Sequence, residues 1–175
     1  MFDKPRILAL AKRYMDGQTD TEGFFKELTR TLVDETGATR ASIWVYPDPM
    51  FRDSIQCLSL YDRTDATWSA GAVLSEEDFG PYFEAMRQDN LIVASDARAH
   101  PVTSCFNEVY FGPLGICSLL DMGIVVSGEP YGLFCCENTT DILQWTPQHV
   151  EYLRQVGTLL GFALRKARAG QAVAA

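Results

Sequence analysis

The chain has 175 residues, 47% hydrophobic and 22% charged, the proportions of one ordinary globular domain with a core of its own. A net charge of −8 with scattered Lys and Arg argues against a nucleic-acid partner, and no run approaches the roughly 18 apolar residues of a membrane span. The five cysteines are odd in number and contain no CxxC, which argues against a disulfide framework, and the charged N-terminus lacks the unbroken apolar stretch of a signal peptide, so a cytoplasmic location is expected.

Ile7, Leu10, Ala11 and Tyr14 recur at helical spacing and predict an amphipathic helix within residues 1–18. "DGQTD" interrupts it. Thr19 and Glu22 have the spacing of a capping box, and Gly37 suits the position after a last turn, so a second helix is expected from about Asp20 to Thr36. Strands are expected at "RASIWVY" (Arg40 to Tyr46) and at "SIQCLSLYD" (Ser54 to Asp62), the latter with Ile55, Cys57, Ser59 and Tyr61 on one side. "TWSAGAVLS" reads as one weaker strand. "SEEDFGPYFEAMRQ" reads as a helix with Pro81 near its first turn and Phe79, Phe83 and Met86 on one face. A short strand, "NLIVASD", precedes a helix, "SCFNEVYFGPLG", stopped by Gly112 and Pro113.

"ICSLLDMGIVVSGEPYGLFCCEN" reads as two apolar strands around a turn at "SGEP". Thr146 caps a long last helix with Pro147 at its first position. Along it Val150, Leu153, Gly157, Leu160, Leu164 and Ala167 form an a/d stripe. Arg165, Lys166 and Arg168 place positive charge at its end, and residues 169–175 are expected to form a flexible tail. A run of strands before the first crossover predicts an α+β domain with a largely antiparallel sheet.

Consecutive side chains on a strand point to opposite faces, so Cys135 and Cys136 cannot share a metal or a pocket. Leu133, Cys135 and Glu137 fall on one face, and Phe134, Cys136 and Asn138 on the other. The two thiols read as small apolar strand residues. Asp121 and Glu137 are carboxylates within apolar strands, and their burial is costly unless they are paired. Two readings stay open: they meet donor groups of a ligand, or they lie exposed or ion-paired with Arg98 or Arg40. Trp44 and Tyr46 share a face of their strand opposite Ile43 and Val45, as pocket roof or as core. Trp145 is expected to anchor the loop before the last helix, and His149 to lie at the surface. His100, Cys105 and Cys117 lack the spacing of a zinc site. Gly157 and Gly161 each cost about 1 kcal/mol relative to Ala in a helix. Close approach compensates, either to the sheet or to a second subunit.

In order, "RASIWVY", "LIVASDARAHP", "YFGPLGICSLLDMGIVVSGEPYGLFCCEN" and "QWTPQHVEYLRQVGTLLGFAL" resemble a GAF domain over about Thr19 to Arg168. The resemblance implies a five- or six-stranded central antiparallel sheet. N- and C-terminal helices would cover one face, and a small-molecule pocket would lie on the other. It implies ligand contacts from Trp44, Tyr46, Asp121 and Glu137, beneath a lid from Asp96 to Gly112 that carries Asp96, Cys105, Phe106 and Tyr110. The function implied is that of a sensory or regulatory domain, not an enzyme, for a small molecule of unknown identity. Such a domain pairs through its terminal helices as a homodimer and acts on a signalling protein in trans, with neither membrane nor nucleic acid as partner.

The asparagine, lysine, phenylalanine, aspartate and glutamate motif of cyclic-nucleotide-binding members is not recognisable. The position matching the bilin cysteine of other members falls on Phe106, and the histidine that follows that cysteine is missing after Cys105, so bilin attachment is not expected. Free methionine sulfoxide reductases are also GAF domains, and in such a role Cys105, Cys117 and Cys135 would supply attacking and resolving thiols. A third alternative is a ligand-free dimerisation module or a fragment of a larger signalling protein.

Overall fold

The computed structural model describes residues 4–173. The first helix, α1 (Lys4–Met15), buries the expected stripe of Ile7, Leu10, Ala11 and Tyr14. The second, α2 (Thr21–Thr36), starts one residue later than the capping box implied. Asp20 rather than Thr19 is its cap, with extended backbone and Oδ1 accepting from Gly23 N at 2.8 Å. The short Asp carboxylate closes this turn directly, which leaves the Thr19 hydroxyl to the Asp20 carbonyl. Gly37 ends α2 at φ 76°, its N–H bonded to the Val33 carbonyl.

The sheet has seven antiparallel strands: β1 (Arg40–Val45), β2 (Ser54–Asp62), β3 (Thr67–Ser69), β4 (Val73–Ser75), β5 (Leu91–Ala94), β6 (Ser118–Val126) and β7 (Glu129–Asn138). Their order is β3-β2-β1-β7-β6-β5, and β4 also pairs with β2. The count exceeds five or six because "TWSAGAVLS" forms two three-residue strands, joined at Gly71 (φ 90°), which both pair with β2. A bulge in β2 also corrects its expected alternation. Ile43 opposes Ser59 while Trp44 opposes Cys57, so Leu58 is the extra residue. Ile55 and Cys57 therefore face one core, and Tyr61 faces the other, with Ser59 turned to Thr29 of α2.

On one face of the sheet lie α1, α2 and the last helix, α5 (Pro147–Val173). Leu153, Leu160 and Leu164 of the expected stripe are buried against the chain's own sheet and helices. A Cβ on Gly161 would meet the Val125 carbonyl oxygen at 2.4 Å, and one on Gly157 would meet Phe134 at 3.5 Å. The two glycines thus let α5 approach β6 and β7. α5 continues to Val173, through most of the stretch read as a tail, and residues 174–175 lie outside the described residues. Thr146 caps α5 together with His149, whose Nδ1 accepts from Thr146 N at 3.0 Å. His149 is therefore half-buried rather than at the surface, and burial lowers its pKa. Trp145 is buried edge-on to His149, and its backbone N–H donates to Ser95 Oγ at 3.0 Å.

The other face is covered less regularly. The third helix, α3 (Glu76–Asp89), is kinked at Phe79, two residues before Pro81. The segment expected as one helix is a 3₁₀ turn at Ser104–Phe106, a π-helical turn at Asn107–Phe111 and a single α turn, α4 (Gly112–Leu114). Gly112 and Pro113 do not stop it. Pro113 lacks only an N–H that a first turn does not need, and the chain ends the turn at Gly115 (φ 72°). No helix among the described residues is long and apolar enough to cross a membrane.

Candidate functional site

The irregular cover and the sheet enclose a cavity lined by Trp44, Ile55, Leu74, Tyr82, Phe106, Tyr110, Phe111, Leu119, Asp121, Cys135 and Glu137. Its volume is about 20 Å³, room for a single water molecule. Aromatic rings of the chain itself fill the rest. Phe106 stacks on Phe79 with centroids 4.3 Å apart and meets Tyr82 edge-on at 5.1 Å. Tyr110 and Phe111 surround it at 6.2 and 5.4 Å. Trp44 closes the β1 side, its Nε1 donating to Ser42 Oγ at 2.8 Å. A larger groove of about 800 Å³ lies between α5 and the β6–β7 turn, but it is open and its charged residues Asp89, Arg154 and Arg165 are exposed.

The cavity floor is polar. Asp121 is 1% exposed, and its Oδ2 accepts from the Tyr82 hydroxyl at 2.5 Å. Its Oδ1 has no well-directed hydrogen-bond partner among the described residues, although the Cys135 thiol lies against the carboxylate. Burial pushes the Asp121 carboxyl up to about 7, against the lowering pull of Cys135 and Tyr82. Glu137 is equally enclosed. Arg40 Nη1 stands 3.5 Å from its Oε2, and the Tyr110 hydroxyl donates to the same oxygen at 3.3 Å. Burial raises its pKa and the Arg40 guanidinium lowers it, with burial prevailing. Arg40 is shared with Asp62 at 3.3 Å and lies over the Tyr110 ring.

Of the two readings of the carboxylates, Glu137 thus takes the ion pair with Arg40, and Asp121 takes neither cation. Arg98 instead donates to the carbonyls of Ile116 and Phe111, at 2.7 and 3.2 Å. That ties the cover to the segment leading into β6. Burial pushes the thiols of Cys57, to about 11, Cys105, Cys135 and Cys136 upward, and the neighbouring carboxylates add to the shift at Cys135. Those four are therefore held as thiols near neutral pH.

The structure brings Trp44, Phe106, Tyr110, Asp121 and Glu137 together. Tyr46 is buried in the same core but does not line the cavity. Asp96 is at the surface, where its carboxylate accepts from Ala99 N and closes a turn. Cys105 is half-buried and turned to the Val102 carbonyl, on an outer groove with Ser104 and Glu108. Tyr82 and Arg40 are the polar residues that the sequence did not single out as part of the pocket. For Tyr82 a signal existed: it stands three residues after Phe79, on the apolar face of α3.

The GAF domain family profile matches residues 20–164, and the chain belongs to that family. Among solved structures, the phycoerythrobilin-bound GAF domain of a cyanobacterial phytochrome superposes with a TM-score of 0.80 at 15% identity, covering 98% of this chain and 99% of its own. The phycocyanobilin-bound GAF domain of a cyanobacterial phytochrome gives 0.79 at 16% identity, covering 97% and 98%. The free methionine-R-sulfoxide reductase of Neisseria meningitidis, solved with its substrate, gives 0.65 at 14% identity, covering 94% and 89%. At these identities the likeness is one of fold. Comparison with curated proteins finds no match.

Proposed function

We propose that this chain is a sensory or regulatory domain that binds a small molecule in the cavity under the segment 96–112. The observation that carries this reading is the asymmetry of the two sheet faces. One is sealed by long regular helices. The other is covered by a 3₁₀, π and α succession over an aromatic cavity with a buried carboxylate. Pockets that bind small molecules combine apolar walls with a few placed polar groups. The cavity as it stands is too small for more than a water molecule, so binding requires Phe106 and Tyr110 to move outward with the cover. A ligand that binds the opened state shifts the population toward it. The cover is tied through Arg98 to Ile116, two residues before β6, and β6 packs on α5, which gives a route to the terminal helices and to an output protein in trans.

The a/d stripe is used inside the domain, so pairing as a homodimer would fall to residues left outside it, Leu8 on α1 and Phe162 on α5. Neither a bilin nor thiol catalysis is favoured. Cys105 turns away from the cavity, and four of the thiols are held protonated by burial. Native mass spectrometry of the freshly purified chain tests the reading. The expected result is retained extra mass, released on denaturation and lost in Asp121→Asn. Extra mass that survives Asp121→Asn, or that is covalent at a cysteine, would contradict it. Cys105→Ser, Cys117→Ser and Cys135→Ser together should leave ligand retention intact.

A further inference from the structure

We propose that the cavity takes a small flat ring, one or two fused rings in size, whose cationic or N–H-bearing nitrogen bonds to Asp121 Oδ1. The inference rests on the small-molecule reading of the cavity and narrows it to one class. The first ground is charge. Two carboxylates, Asp121 and Glu137, are buried on the cavity floor, and the one guanidinium found beside them among the described residues, Arg40, is shared between Glu137 and Asp62. No cation pairs with Asp121 among the described residues. An anionic occupant would add a third negative charge, whereas a cation completes the balance.

The second ground is the orphaned oxygen. A buried acceptor without a well-directed partner is costly, and among the described residues Asp121 Oδ1 meets only the weak thiol donor of Cys135 in the cavity. Tyr82 already supplies the donor for Oδ2, so Oδ1 is the atom left to recognise something. The third ground is shape. The slot occupied by Phe106 is walled by Phe79 face-on and by Tyr82 edge-on, with Tyr110 and Phe111 beyond. Such walls suit an aromatic ring. When the cover opens, the rings of Phe106 and Tyr110 vacate a space of about that size.

Binding then depends on pH. Burial holds the empty carboxyl near neutral, at about 7. Tyr82 faces it from α3, Cys135 and Glu137 from β7, and Tyr46 from the residue after β1. The phenols and the thiol all titrate higher and burial raises Glu137 as well, so the floor carboxyls are the groups left to change charge, Asp121 at about 7. A cationic ring displaces its proton, and affinity rises with pH.

Benzamidine, benzyl alcohol and benzoate, titrated at pH 6 and pH 8 and followed by the NMR signal of the Trp44 indole, test the proposal. Benzamidine should bind about tenfold more tightly at pH 8 than at pH 6, the ratio of ionised Asp121. Asp121→Asn should weaken it about tenfold or more and flatten the pH dependence. Benzoate or benzyl alcohol binding as well as benzamidine would overturn the ligand class and leave the small-molecule reading standing. If all three fail but a mixture of other small molecules shifts Trp44, the class is likewise overturned. Silence toward every compound overturns both. Should Asp121→Asn not fold, Tyr82→Phe carries the test. It removes the phenol's lowering pull on the carboxyl, so the pH range over which benzamidine binding strengthens should move upward; an unchanged pH profile would overturn the proposal.

Discussion

Asp121 shows what one side chain can reveal that its sequence context could not. The strand "SLLDMGIVV" places a carboxylate on the pocket face by alternation alone, but not whether a cation meets it. Arg40, chosen by register opposite Glu137, took that acid and left Asp121 to a phenol. The folded carboxyl titrates at about 7 against an ordinary 3.8, so the unfolded chain releases this proton first as pH rises. Its contribution destabilises the fold progressively from about pH 4 to pH 7 and is constant above. Asp121→Asn removes that burden. Urea unfolding should find the variant gaining stability over wild type by about 3 kcal/mol more at pH 8 than at pH 5. An equal difference at both pH values would mean that Asp121 is not enclosed as described.

Among the elements, the last helix gives the sharpest contrast. The spacing of Gly157 and Gly161 showed that something approaches closely, but not whether it was the sheet or a second subunit. The sheet is the answer, and the two positions are not equivalent. Gly161→Ala forces a methyl onto the Val125 carbonyl and should destabilise by about 1–3 kcal/mol despite better helix propensity. Gly157→Ala meets Phe134 at ordinary contact distance and should be neutral or stabilising by up to about 1 kcal/mol. Thermal unfolding of both variants checks the pair, and a reversed order would contradict the packing.

The cover was less legible than α5. "SCFNEVYFGPLG" has helical composition, and nothing in its residue types distinguishes an α-helix from the π turn found. That choice is set by Arg98 and Asn107, which bond to the backbone across the segment. Phe106→Ala should cost about 3–5 kcal/mol, and a ring-sized ligand that refills the slot should restore part of it. A variant that no ring-sized compound stabilises would show that the slot collapses rather than accommodates.

At the scale of the molecule, the alternation of β1 and β7 and the ordered motifs were enough to foresee a sheet with terminal helices on one face. They did not show the β2 bulge, which changes which of Ile55, Cys57, Ser59 and Tyr61 face the cavity side. Long-range pairing sets that register, and local pattern is blind to it. Leu8 and Phe162 are exposed on the outer helical surface, where the proposed pairing of the terminal helices would fall. Phe162→Glu should therefore weaken a dimer seen in light scattering without changing ligand binding at the cavity. Loss of both together would place the ligand at the subunit contact instead.

The central claim is that the aromatic cavity under the 96–112 cover is where a small molecule acts. The most direct test is the NMR spectrum of the labelled chain during titration with mixtures of small metabolites. The account predicts that at least one mixture shifts the Trp44 indole together with the amides of Phe106 to Phe111, and that Asp121→Asn abolishes the shift. Shifts confined to the open groove beside α5, or none in the cover for any mixture, would contradict it.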